Sequence, residues 1–128
     1  MKTVLLVDDK IDIREILEDF LRNSGYETQA LDNGDKAMQE LAKNHEKYNL
    51  IVTDVIMPQK DGMTLLQELR ELPGQDQNPT PVIMMTGGST SIDLQNRLEE
   101  IAAQRNKILK KPFTKDQFIT AVDKALNA

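Results

Sequence analysis

Five short apolar runs alternate with stretches whose apolar residues recur at helical spacing, and this alternation restricts the chain to one broad architecture. The runs are Thr3 to Val7, Glu27 to Leu31, Leu50 to Asp54, Pro81 to Thr86 and Lys107 to Lys110. Each is too short for a helix of ordinary length, and all but Glu27 to Leu31, the weaker strand candidate, are rich in β-branched or other large apolar residues, the signature of a buried strand. A strand, a helix and a following parallel strand are joined by a right-handed crossover. Five such units therefore predict an α/β fold in which a parallel sheet is covered by helices on both faces.

The helices have their own signals. From Ile11 the apolar residues fall at Ile13, Ile16, Leu17, Phe20 and Leu21, one stripe of a helix that Asn23-Ser24-Gly25 stops. Asp12 with Glu15 offers a capping pair at its start. Asp32-Asn33-Gly34 turns the chain into a second helix with Ala37, Met38, Leu41 and Ala42 inward. Asp61 can cap a third helix, with Leu65, Leu66, Leu69 and Leu72 on one face and Pro73-Gly74 at its end. Ser89 to Gln104 predicts a fourth, with Leu94, Leu98, Ile101 and Ala102 inward, preceded by Gly87-Gly88. The last has the clearest start: Thr114 and Gln117 form a capping box, and Phe113 and Phe118 stand at the two positions of a hydrophobic staple.

The 128 residues suit a single domain, 1–128, with a core that needs no metal or disulfide staple. There is no cysteine, no long apolar run and no signal peptide at Met1-Lys2-Thr3, so the expectation is a cytoplasmic protein without membrane insertion. Net charge is −5 with no basic block, which argues against direct nucleic-acid binding, and the 4% aromatic content argues against a stacking platform. No segment follows the final helix in the chain as given, so the expected output is a protein contact.

The chemistry sits at the strand ends. The first strand delivers Asp8 and Asp9, the third Asp54, the fourth Thr86 and the fifth Lys111. Open α/β sheets place their ligands at the carboxyl ends of the strands, and in a flavodoxin-like order the first and third strands are neighbours at the switch point. Three carboxylates then converge. Like charges so close raise one another's pKa or demand a counter-cation, and an all-oxygen cluster open to water suits Mg²⁺ better than zinc.

These residues resemble a response-regulator receiver domain, the phospho-acceptor unit of two-component signalling, over essentially the whole chain. The resemblance rests on Asp8-Asp9, on Asp54 with Met57-Pro58 and Asp61-Gly62, on Thr86-Gly87, and on Lys111-Pro112-Phe113, in order and at the right spacings. It implies a flavodoxin-like (βα)5 sandwich of strand order 2-1-3-4-5. It further implies that Asp54 accepts a phosphoryl group from a histidine kinase or histidine phosphotransfer protein. Asp9, Asp54 and the backbone carbonyl of Ile56 would ligate Mg²⁺, with Asp8 acting through water, while Thr86 and Lys111 hold phosphate oxygens. Such a chain catalyses only its own phosphorylation and dephosphorylation, and Lys111-Pro112 would be cis. A downstream protein would read the fourth helix, fifth strand and final helix, roughly Ser91 to Gln104, Lys107 to Lys110 and Thr114 to Leu126. Ile108 stands where the family often has an aromatic, and Gln104-Arg105 where it often has Gly-Ala. The response is therefore expected as altered loop and helix mobility instead of one ring swinging inward.

Other readings of the same residues are weaker. A Mg²⁺-dependent phosphohydrolase of the haloacid-dehalogenase type wants Asp-x-Asp after the first strand, but Lys10 stands two beyond Asp8. A flavodoxin wants a hydroxyl- and Gly-rich loop there and aromatics to sandwich a flavin. A receiver-like scaffold that never takes phosphate has no use for the complete chemical set. Alone, a strand-end Asp is most often a cap or a turn residue, and Lys111 alone would be a solvated lysine. His45, among Asn44, Glu46 and Lys47, reads as a surface residue, and the six methionines as core filler.

Overall fold

In a computed structural model the chain is described over residues 1–57, 60–87, 96, 100 and 106–127. The elements are β1 (Thr3–Val7), α1 (Ile11–Asn23), β2 (Glu27–Leu31), α2 (Gly34–Asn44), a 3-10 turn (His45–Lys47), β3 (Leu50–Asp54), α3 (Gly62–Arg70), β4 (Val82–Thr86), β5 (Asn106–Lys110) and α4 (Lys115–Leu126). All pairings are parallel and the strand order is β2-β1-β3-β4-β5. This is the flavodoxin-like arrangement expected from the alternation and the resemblance. Asn96 and Glu100 are helical; the rest of the helix expected over 89–104, with its inward residues, lies outside the described residues.

Strand alternation explains the two cores. Leu5 and Val7 of β1, Ile51 of β3, and Val82 and Met84 of β4 pack with Ala37 and Leu41 of α2 and Leu65, Leu66 and Leu69 of α3. The intervening residues, Val4, Leu6, Leu50, Val52, Ile83 and Met85, pack with Leu17 and Leu21 of α1 and Phe118, Val122 and Ala125 of α4. The inner strands β1, β3 and β4 are buried along their whole length because both of their faces are covered.

Local expectations are met where a side chain closes a turn. Asn33 and Asp61 accept from the Lys36 and Thr64 N–H groups at 2.8 Å each. Thr114 and Gln117 form the reciprocal capping box, and the Phe113 and Phe118 rings stack 5.7 Å apart. Three expectations are corrected. Ala42 is exposed, since α2 turns it past the edge of its buried stripe. Ile16 is 49% exposed, because α1 buries only Leu17 and Leu21 deeply against the sheet. The Asp12 and Glu15 pair does not cap α1: the N-cap is Lys10, which makes no side-chain cap bond, and Asp12 lies within the first turn. Among the described residues no helix is long and apolar enough to cross a membrane.

Candidate functional site

The site forms where β1 and β3 run side by side. Val7 is paired with Thr53, so Asp8 and Asp54, each one residue further along, leave the sheet at the same level. The carboxylates of Asp8, Asp9 and Asp54 each bring an oxygen within 4.8 Å of the others. Asp8 and Asp54 are buried, and Asp9 stands nearer the rim. From the other side Lys111 places its Nζ 3.0 and 3.2 Å from the two Asp54 oxygens, straddling the carboxylate. Lys111 is held there by its own backbone, whose N–H donates to the Thr86 carbonyl at 2.8 Å. The Lys111-Pro112 peptide is cis, as expected.

Each acid has a distinct environment. Asp8 Oδ1 accepts the Lys10 N–H at 2.9 Å, but Asp8 Oδ2 and Asp9 Oδ1 are buried with no hydrogen-bond partner. Burial pushes the Asp8 carboxyl above its ordinary range; the Lys10 N–H opposes this, Asp54 repulsion adds to it, and smaller effects of Lys111 and Asp9 oppose each other. Orphaned carboxylate oxygens in a three-acid cluster are what a hard divalent cation would satisfy, so the donor set fits such an ion. Thr86 is buried, and its hydroxyl donates to the Gly87 carbonyl at 3.1 Å. Ile56, two residues beyond Asp54, is 67% exposed.

Two supporting contacts escaped the sequence reading. A Cβ on Gly62 would meet the Asp54 carbonyl oxygen at 2.4 Å, so only glycine lets the start of α3 lie against the acid's own backbone. The Gly62 N–H then donates to the Val55 carbonyl at 2.8 Å and pins the loop. The Asp61-Gly62 pair had signalled a turn, and nothing in it signals the close approach. Arg14 donates to the Asp8 carbonyl at 2.9 Å, an i to i+6 contact that no helical or strand periodicity reveals.

With this geometry in view, the response regulator receiver domain model matches residues 4–123. The chain belongs to the receiver family. It is 31% identical over 128 residues to the response regulator receiver protein CpdR of Brucella abortus, covering 100% of this chain and 99% of that protein. It is 32% identical over 122 residues to the transcriptional regulatory protein CpxR homolog of Haemophilus influenzae, covering 95% of this chain but only 49% of that longer protein. The structure superposes on the chemotaxis response regulator CheY4 of Vibrio cholerae with a TM-score of 0.82 at 28% identity, covering 98% and 99% of the two chains. As a receiver, the chain carries a phospho-acceptor aspartate site in its acidic cluster.

Proposed function

We propose that Asp54 is the phospho-acceptor and that residues 1–128 act as one cytoplasmic, phosphorylation-switched binding domain. The observation that carries this reading is the Asp54 carboxylate itself, buried, straddled by Lys111 and set beside two acids with unsatisfied oxygens. A histidine kinase or histidine phosphotransfer protein is the donor. An Asp54 oxygen forms the new O–P bond as the N–P bond of the donor's phosphohistidine breaks. No general base is required, because a carboxylate nucleophile has no proton to give up. The Lys111 ammonium, 3.0 Å from the carboxylate, needs only a small shift to hold a phosphoryl oxygen. The Thr86 hydroxyl can leave the Gly87 carbonyl for a second oxygen, since rotation about one bond redirects it.

Asp9, Asp54 and the Ile56 carbonyl are the proposed Mg²⁺ ligands, with Asp8 acting through water. An ion held by these groups would supply positive charge to shield the transferring oxygens. Together with the Lys111 ammonium, that dication balances the three carboxylate charges. The signal leaves through β5, whose Lys110 pairs with Thr86 and precedes Lys111, through α4, which begins four residues after Lys111, and through the expected helix before β5.

Intact-mass measurement with a small acyl phosphate tests the assignment. One phosphoryl group should be added with Mg²⁺ or Mn²⁺ present and none without. Asp54→Ala should abolish the addition, and unchanged labelling of that variant would remove Asp54 from the role. Asp9→Ala should weaken Mg²⁺ binding sharply; wild-type affinity would show the ligand set to be wrong.

A further inference from the structure

The three acids of the cluster are not held alike. Asp54 is paired with Met85 inside the sheet, and Asp8, the first residue after β1, still bonds to β2 through its N–H. Asp9 lies beyond the ladder. Its Oδ1 is buried without a hydrogen-bond partner, so that oxygen is aimed by the backbone that carries it. The link from Val7 to Lys10 consists of successive peptide units, and each is held differently. The Asp8 N–H donates to the Leu31 carbonyl at 3.1 Å, which fixes the first unit, and the Lys10 N–H donates to Asp8 Oδ1 at 2.9 Å, which fixes the last. The middle unit joins Asp8 to Asp9. Its carbonyl, that of Asp8, accepts from the Arg14 guanidinium at 2.9 Å.

Sheet geometry explains why a side chain is needed there. With Val7 opposite Leu31, a parallel ladder would next bring the N–H of Asn33 to the Asp8 carbonyl. But β2 ends at Leu31 and Asn33 is already the N-cap of α2, so the ladder stops one bond short. Arg14, half-buried near the start of α1, supplies the missing donor. Its charge also reaches Asp32, whose carboxyl is held below its ordinary range first by a hydrogen bond from Lys36 and only in small part by Arg14. Among the described residues, the hydrogen bond that Arg14 makes with its side chain is the one to Asp8.

We propose that Arg14 is a positioning residue for the cation site: by fixing the peptide between Asp8 and Asp9 it aims the Asp9 carboxylate at the point where Asp8 and Asp54 converge. The inference rests on reading the acidic cluster as the Mg²⁺ site. Two effects of the guanidinium have opposite signs, and this separates them. As a positive charge beside the cluster it repels a dication, so if charge alone mattered its loss would tighten Mg²⁺ binding. As the group that orients a ligand it acts the other way, because loss of such an outer contact weakens metal binding by roughly tenfold or more.

Mg²⁺ affinity, measured by titration calorimetry on the intact chain, is the test. Arg14→Met keeps much of the side chain's bulk but has no donor, and it should bind Mg²⁺ roughly tenfold more weakly than wild type. Arg14→Lys restores a donor of similar reach and should recover most of that affinity, although it also restores the repelling charge. Wild-type or tighter binding by Arg14→Met would overturn the positioning role and leave the cation site standing. Absence of Mg²⁺ binding by wild type would remove the cation site and the proposal with it. The metal-free protein gives a second, independent measurement. The Asp9 N–H belongs to the peptide that Arg14 holds, so its amide NMR signal should move on Arg14→Met while those in the last turn of α3 stay in place. An unmoved Asp9 signal would equally overturn the proposal.

Discussion

Asp8 concentrates the electrostatic tension of the site in one side chain. Its carboxyl is pushed up mainly by burial, so the folded, metal-free protein holds that proton more tightly than the unfolded chain does. Its contribution to stability therefore falls as pH rises past the ordinary carboxylate value of about 3.9. Asp8→Asn keeps an oxygen for the Lys10 N–H and replaces the orphaned Oδ2 with a donor beside two carboxylates. The metal-free variant should melt a few degrees higher than wild type near neutral pH, about 2–5 °C, while the further rise produced by adding Mg²⁺ shrinks. Calorimetry with and without the ion measures both, and a lower melting temperature for the metal-free variant would contradict the account. Gly62 is the steric counterpart. Gly62→Ala forces a methyl group to within 2.4 Å of the Asp54 carbonyl, so either α3 or β3 must move. A loss of about 1–3 kcal/mol is expected from such overpacking, accompanied by slower phosphorylation, as read by denaturant unfolding and intact mass.

Elements are tied to one another by a few polar side chains in addition to the two apolar cores. Tyr26 donates to Asp123 and joins the entry of β2 to α4, and Tyr48 donates to Glu40 and joins the entry of β3 to α2. Burial and the Asp123 carboxylate push the Tyr26 hydroxyl up to about 12, while Tyr48 is raised for the same reasons by burial and Glu40. An unfolded tyrosine gives up its proton near pH 10, so between about pH 10 and pH 12 the folded chain binds more protons than the unfolded one. Stability should therefore fall as pH rises through that window. Tyr26→Phe should show a shallower fall, measurable by melting temperature from pH 9 to pH 11.5. The contrasting starts of α1 and α4 belong to this scale too. Thr114→Ala dissolves a reciprocal cap and should cost about 1 kcal/mol, whereas Asp12→Ala removes no cap bond and should cost far less.

At the scale of the whole molecule, phosphate on Asp54 should draw the ends of β4 and β5 toward itself through Thr86 and Lys111, favouring the state in which both already reach it. With Ile108 only partly buried against the α2 and α3 core and no aromatic ring in its place, the response should spread as altered exchange across Thr86 to Lys111 and along α4. Amide hydrogen exchange with a beryllofluoride phosphate mimic reads this, and changes confined to α1 and α2 would refute the route. Sequence alone determined most of the architecture, because strand alternation and helical spacing are local consequences of which side chains must be buried. It also singled out the three acids that the fold gathers, Asp8, Asp9 and Asp54, since an acid at the end of an apolar strand is visible one element at a time. Only the tertiary structure decided what depends on how separate elements approach. It placed Asp8 level with Asp54 through the β1 and β3 register, and it made Gly62 a steric requirement because α3 begins against a backbone oxygen. It left Ile16 exposed, since periodicity defines a stripe while the angle of packing sets how wide a stripe is covered. It brought Pro73 to a histidine 28 residues away, a contact between chain segments that no local pattern encodes.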